Sequence, residues 1–397
     1  MLTLDNVYRA SYVLRDVARV TDIIYAPKLR KGVEIYLKTE NLQVTGSFKV
    51  RGAYYKMSKL SKEECEKGVI ACSAGNHAQG VALAAEKKGI KAVICLPATA
   101  PVSKVEATRS YGAEVCLVDG VYDDAYNKAL ELRDECGYTF IHPFNDEDVI
   151  AGQGTIALEI LEQLGDVEAV IVPVGGGGLI SGIAYTLKSI NPGIKVYGVE
   201  AKGAASMTAS LIGGNIEELS SVRTMADGIA VKKPGNLTYE ICKNYVDDIV
   251  TVTDDEISAA ILTLMEKHKL VTEGAGAAAV AAAMFGKVDI EGKKTVCLLS
   301  GGNIDVNILS RVIDRGLLMS GRICHITLEL VDKTGQLNEV TDVIASLGAN
   351  VLSVLHERNS MDTDINGCYL TLTLETRNHE HINEIKKSLE SKGFKII

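Results

Sequence analysis

Residues 69–88 read Val69-Ile70-Ala71-Cys72-Ser73-Ala74-Gly75-Asn76-His77-Ala78-Gln79-Gly80-Val81-Ala82-Leu83-Ala84-Ala85-Glu86-Lys87-Lys88. A short apolar run bounded by small residues marks a buried strand, and the longer segment behind it carries helix formers. The same unit recurs in both directions. Strands are predicted at 69–73, 92–96, 114–118, 139–141, 169–174, 195–199 and 296–299, alternating with helices at 78–88, 102–111, 123–135, 151–164 and 179–189. Strands alternating with helices build right-handed βαβ crossovers on parallel sheets, so the fold class is α/β. Such sheets hold ligands beyond the carboxyl ends of their strands, in the turns that lead into helices.

The chain has 397 residues, enough for two or three domains. Apolar residues make up 47% and charged ones 23%, the balance of a globular protein with a sizeable core. The net charge is −9, and no segment concentrates lysine and arginine, which argues against nucleic acid or an acidic membrane surface as partner. A small molecule is expected instead. Nine cysteines without a C-x-x-C pair suit a reducing cytoplasm and supply no zinc framework, so no metal is expected. The opening residues, Met1 to Asp5, lack the basic and apolar regions of a signal peptide. The apolar run at 275–285 falls short of the ~20 residues that span a bilayer and reads as a buried helix.

Three strand ends and one lysine carry the chemistry. Behind strand 169–174, Gly175, Gly176, Gly177 and Gly178 precede Leu179 and a helix, so consecutive backbone N–H groups and a helix N-terminus converge on one point. Neither a Walker A loop nor G-x-G-x-x-G spacing is present, and a monophosphate fits best. Behind strand 69–73, the N–H groups of Ser73, Ala74, Gly75, Asn76 and His77 suit a carboxylate, and the Asn76 amide suits a phenolic oxygen. His77, in the first helical turn, reads as a capping or packing residue rather than a base. Ser300 ends strand 296–299 with a hydroxyl suited to a ring nitrogen. Lys49 lies between Phe48 and Val50 with Gly46 and Gly52 on either side, the setting of an amine whose pKa desolvation lowers and which can form a Schiff base.

The motifs GSFKVRGA (46–53), SAGNHAQG (73–80), PVGGGGL (173–179) and LLSGGN (298–303), in this order, resemble the fold-type-II enzymes that use pyridoxal 5′-phosphate, and most closely the threonine dehydratases, or threonine ammonia-lyases. ADGIAV (226–231) and EGAGAAAVAA (273–282) agree. The resemblance implies a two-subdomain, tryptophan-synthase-β-like catalytic domain over 1–320. It implies that Lys49 holds the cofactor and later acts as general base, beside Phe48. Gly175 to Gly178 and Leu179 would bind the phosphate, Asn76 the 3′-oxygen and Ser300 the ring nitrogen. The substrate carboxylate would lie against Ser73, Ala74, Gly75, Asn76 and His77. A serine at the ring nitrogen favours elimination over transamination. Serine racemases of this fold carry a serine where Ala74 stands, and they hold a cation through an acidic pair of which only Glu200 is matched, Ser206 taking the second place.

From Arg322 the pattern changes to βαββαβ: strands at 324–331, 350–357, 367–375 and 394–396, with helices around 337–347 and 379–392. VDKTGQL (331–337) and LGANVLSV (347–354) resemble the ACT domain, a regulatory module that binds amino acids between paired copies, which assigns 321–397 to such a domain. The resemblance implies Gly335, Gln336, Leu337 and Asn350 as effector contacts, or a module that serves assembly alone. The expected protein is a cytoplasmic homo-dimer or homo-tetramer that converts L-threonine to 2-oxobutanoate and ammonia, as in isoleucine biosynthesis, with L-serine as second substrate. Two other readings stay open at this point: a serine dehydratase or racemase, and a non-catalytic amino-acid sensor.

Overall fold

The computed structural model describes residues 2–358 and 365–397; Met1, the first residue of the stretch read for a leader, lies outside them. The chain divides into two compact units, Met1–Asp305 and Val306–Ile397, so helix Val306–Met319 groups with the C-terminal unit. In chain order the strands are β1 (Ile23–Tyr25), β2 (Ile35–Lys38), β3 (Val69–Cys72), β4 (Ala92–Pro97), β5 (Glu114–Val118), β6 (Thr139–Phe140), β7 (Ala169–Pro173), β8 (Lys195–Ala201), β9 (Asp248–Val252), β10 (Thr295–Leu298), β11 (Ile323–Val331), β12 (Asn350–Glu357), β13 (Gly367–Glu375) and β14 (Lys395–Ile396).

The first unit holds two sheets. One runs β5-β4-β3-β6, parallel throughout; the other runs β1-β2-β10-β7-β8-β9 and is parallel except at the β1–β2 edge. β3 and β7 are buried along their whole length, the state of parallel strands covered by helices on both faces. The edge pair β1–β2 and β9 were not among the strands read from sequence. β1 and β2 are only three and four residues long, and β2 ends in a lysine, so neither carries an alternating pattern long enough to read.

Helix Lys49–Ser58 is wedged between helices Asn76–Lys88 and Glu147–Gln163. A Cβ on Gly80 would lie 3.0 Å from the Lys49 carbonyl carbon, and one on Gly152 would lie 2.7 Å from the Arg51 carbonyl oxygen. Bare backbone at these two crossings is what lets the three helices approach. Arg51, 1% exposed, donates to both carboxylate oxygens of Glu40 at 2.8 Å and to Glu159 at 2.6 Å. Lys38 donates to the other oxygen of Glu159 and to the Thr21 carbonyl, each at 2.6 Å. Two cations and two carboxylates are thereby buried as a neutral set that ties the first turn of helix Lys49–Ser58 to β2 and to helix Glu147–Gln163.

Helix Gly274–Met284 has Val280 as its largest residue before Met284 and is buried from Gly274 to Ala283. Its Gly276 lies so close to the end of β10 that a Cβ would fall 2.2 Å from the Gly301 carbonyl oxygen. Among the described residues no helix is long and apolar enough to cross a membrane.

After helix Val306–Met319 the second unit follows a βαββαβ order. Its sheet runs β12-β13-β11-β14 with antiparallel pairs, and burial alternates along β11 and β13. One face therefore packs Ile326, Leu328, Leu370 and Leu372 against Val340, Val343 and Ile344 of helix Gln336–Ser346 and Ile385 and Leu389 of helix His379–Ser391.

Candidate active site

The turns behind β3, β7 and β10 open on one cavity of about 770 Å³ in the first unit. Lys49, Phe48, residues 73–77, 175–179 and Ser300 all line it. Residues spread over 250 positions thus share one wall because the strand ends carry them to the same side of the sheets.

The Lys49 amine donates to the Pro143 carbonyl at 3.0 Å and stands 5.2 Å from the centre of the Phe48 ring. Burial pushes its pKa down to about 8, against the pull of the Glu273 carboxyl. Near physiological pH about a fifth of the amine is then neutral, far more than for an ordinary lysine, and that is the form that attacks a carbonyl or accepts a proton. Phe48 N–H donates to the Ser300 carbonyl at 3.2 Å, and Ser47 bridges to Gly301, which brings the Lys49 segment against the end of β10.

The glycine turn is bare by necessity. A Cβ would fall 2.9 Å from Ile229 Cα at Gly175, 2.3 Å from the Phe144 ring at Gly176 and 2.8 Å from Phe144 Cα at Gly178. Gly177 has φ +91°, which favours glycine for a second reason. The turn caps helix Gly178–Ile190, whose first N–H groups have no intrahelical acceptor and face an anion favourably.

At the end of β3, the Ser73 hydroxyl accepts from Gly75 N–H at 3.1 Å and opens the start of helix Asn76–Lys88. Ala74 lines the cavity without a hydroxyl. His77 Nε2 lies 2.8 Å from the Ile141 carbonyl and so carries its proton there; burial, with the nearby Lys49 charge, pushes its pKa down to about 3. The ring is buried and neutral.

Several residues in or beside the cavity were given no role by the sequence reading. Glu273, one residue before the alanine-rich helix, accepts from Asn76 Nδ2 at 2.6 Å, and burial, followed by the Asp227 charge, raises its pKa to about 7. Asn303 Nδ2 donates to Asn76 Oδ1 at 2.8 Å. His142 Nδ1 accepts from the N–H groups of Phe144 at 3.2 Å and Asn145 at 2.8 Å, which places its proton on Nε2. At the mouth, Lys104 pairs with Asp227, and Lys232 with Asp123 at 3.5 Å. Glu273, Asn303 and Asp227 lie within the quoted motifs EGAGAAAVAA, LLSGGN and ADGIAV, and His142 opens the HPFN run at 142–145, but none of these points to a role without its neighbours.

Glu200 is engaged within the protein. Its carboxylate accepts from Met207 N–H and Thr208 N–H at 2.8 Å and from the Thr208 hydroxyl at 2.6 Å, capping helix Ser206–Gly213. Among the described residues the one cluster with metal-ligand chemistry is Asp332, His356 and Cys368, where Asp332 already pairs with Arg358 at 3.2 Å. In the second unit Gly335, φ +94°, starts helix Gln336–Ser346, Gln336 bonds Glu339 at 3.1 Å and Leu337 is exposed. Asn350 pairs with Glu375 level with the first residue of β11, whereas Gly335 to Leu337 follow its last. Roughly 26 Å of strand separates the two levels. One copy therefore does not bring the four residues together.

The donor set fits a phosphorylated pyridine aldehyde: a desolvated amine, a glycine cradle at a helix start, an amide and a hydroxyl around one cavity. Comparison with known proteins points the same way. Residues 14–301 match the model of a family described as pyridoxal-phosphate dependent enzymes. The chain is 51% identical to an L-threonine ammonia-lyase of Thermotoga maritima over 398 positions, covering 100% of this chain and 99% of that protein. Among solved structures, threonine deaminase isoform 2 of Solanum lycopersicum is 44% identical with a TM-score of 0.74, over 78% of this chain and 92% of that one. Maize serine racemase is 35% identical with a TM-score of 0.75, over 80% and 98%.

Proposed function

Because this chain belongs to the pyridoxal-phosphate dependent enzyme family, we propose that it is an L-threonine ammonia-lyase, converting L-threonine to 2-oxobutanoate and ammonia with L-serine as second substrate. When bound, the cofactor supplies an electron sink for charge developing at the substrate Cα. The protein's own residues do the rest. Residues 175–179 hold the phosphate, Asn76 the ring oxygen and Ser300 the ring nitrogen. The backbone N–H groups of 73–77 orient the substrate carboxylate. Lys49 Nζ takes the Cα proton as the β-hydroxyl leaves, and the water lost in elimination is regained when the product imine hydrolyses to the keto acid and ammonia.

The observation that carries this reading is the desolvated Lys49 amine at the Pro143 carbonyl, in one cavity with the glycine turn and the end of β3. Ala74 supports elimination over racemisation, since a methyl group cannot relay a proton to the opposite face of Cα. The second unit supports an ACT-type regulatory domain at 321–397 that binds an amino-acid effector between two copies, with Gly335, Gln336 and Leu337 of one and Asn350 of the other. That arrangement calls for a homo-dimer or homo-tetramer, and an isoleucine effect would place the enzyme in isoleucine biosynthesis. Free thiols at all nine cysteines accord with a cytoplasmic setting.

The test is keto-acid release by cofactor-loaded protein from L-threonine and L-serine, with and without isoleucine, beside a Lys49→Ala control. Faster release from threonine, abolished in the control, is the expected result. A preference for serine, or formation of D-serine, overturns the substrate assignment.

A further inference from the structure

Asn76 presents its amide to the cavity with both ends already engaged by the protein. Nδ2 donates to Glu273 Oε1 at 2.6 Å, and Oδ1 accepts from Asn303 Nδ2 at 2.8 Å. Asn303 is fixed in turn by the Thr45 carbonyl at 2.8 Å and the Gln79 side-chain oxygen at 3.4 Å. A primary amide has two N–H groups, and among the described residues the second one of Asn76 has no partner. A carboxylate only accepts and an amide nitrogen only donates, so the two contacts agree on which end of Asn76 is nitrogen and hold the group from both ends.

Glu273 is itself held. It is 5% exposed, and the end of β10 closes over it so tightly that a Cβ on Gly301 would lie 2.3 Å from Oε1. The charged groups around it are Asp227 on the turn Asp227–Ile229, Lys104 on helix Val102–Ser110 and Lys49.

We propose that Glu273 and Asn303 are positioning residues for the cofactor, locking the Asn76 amide so that its free N–H faces the ring oxygen. This rests on the cofactor reading above and assigns roles to two residues that touch Asn76 rather than the substrate. It has a second consequence. Burial and Asp227 hold the Glu273 carboxyl up to about 7, against Asn76, Lys104 and Lys49, so the acceptor for Asn76 gains or loses a proton near neutrality. A carboxylate grips an N–H more firmly than a carboxylic acid does. The electron distribution of the bound cofactor, read from the ratio of its two absorbance bands, should then change with pH in one step around neutrality.

The experiment measures cofactor dissociation by fluorescence and the band ratio from pH 6 to 9, for wild type, Glu273→Gln, Glu273→Ala and Asn303→Ala. Glu273→Gln keeps an acceptor oxygen but cannot ionise; it is expected to hold the cofactor within about threefold of wild type with a flat pH profile. Glu273→Ala and Asn303→Ala are expected to weaken binding about tenfold, the worth of one hydrogen bond, and to shift the ratio at every pH. Wild-type affinity and band ratio in Glu273→Ala, or a pH step retained in Glu273→Gln, overturns the proposal. If Glu273→Ala does not fold, the Glu273→Gln profile decides. Wild-type protein that takes up no cofactor at all would sink the cofactor reading instead.

Discussion

Replacing Arg51 by methionine removes the cation on which Glu40 depends. Arg51 and Glu40 are 1% and 0% exposed, and the guanidinium meets both carboxylate oxygens of Glu40 at 2.8 Å. Methionine fills most of the volume, so the loss is electrostatic. Glu159 keeps Lys38, whereas Glu40 keeps one hydrogen bond from Thr21 at 2.6 Å and the more distant Lys38 charge. Breaking a buried pair from one side costs about 3–5 kcal/mol. The cost has a pH signature. Burial alone pushes the Glu40 carboxyl up, and Arg51, Thr21 and Lys38 together bring it below its ordinary 4.5. In wild type the pair's contribution is present above that value and is lost only as pH falls through the lowered one. In Arg51→Met the folded-state pKa lies above the unfolded one, so Glu40 is carried protonated at low pH and destabilises the fold increasingly as pH rises. Urea denaturation of the cofactor-free protein should show the full deficit near about pH 7.5 and a smaller one near about pH 5. Adding Glu40→Gln to Arg51→Met should recover more than half of it. A deficit below about 1 kcal/mol, one equal at both pH values, or one untouched by Glu40→Gln would refute the reasoning.

At Gly176 an alanine methyl would sit 2.3 Å from the Phe144 ring, so Gly176→Ala should cost about 1–3 kcal/mol of stability and abolish detectable cofactor uptake, measured by denaturation and absorbance. The Lys49 amine, held near 8 against its ordinary 10.5, binds protons more weakly folded than unfolded, so between those values stability rises with pH. Relative to Lys49→Met, cofactor-free wild type should gain up to about 3 kcal/mol across that window; a constant difference would show the amine to be solvated.

Much of this architecture is legible in the sequence because the strand–turn–helix unit is local. Bounds read for β5, β12 and β13 coincide with those observed, and most others differ by one or two residues. Lys49, Asn76, the glycine turn and Ser300 were legible because each stands at a strand end or helix start, where backbone chemistry restricts the residue type. Glu273, Asn303 and the Pro143 carbonyl were not, because each acquires its meaning only from a partner on another element: Asn76 for the first two, Lys49 for the third. The buried set of Lys38, Glu40, Arg51 and Glu159 was hidden likewise, since 121 positions separate its ends. The separate levels of Gly335 and Asn350 depend on antiparallel register, which periodicity does not number.

The alanine helix behind the cavity has a consequence for how this chain tolerates change. Its information lies in atoms it lacks: from Gly274 to Ala283 nearly every side chain is a methyl or a hydrogen, and at Gly276 the Gly301 carbonyl occupies the place a Cβ would take. A larger residue there has no rotamer that avoids backbone, and it would displace the segment that carries Ser300 and Asn303. The stretch of lowest apparent complexity is thus among the least substitutable, and a compositional filter that discounted it would discard the floor on which the site is built.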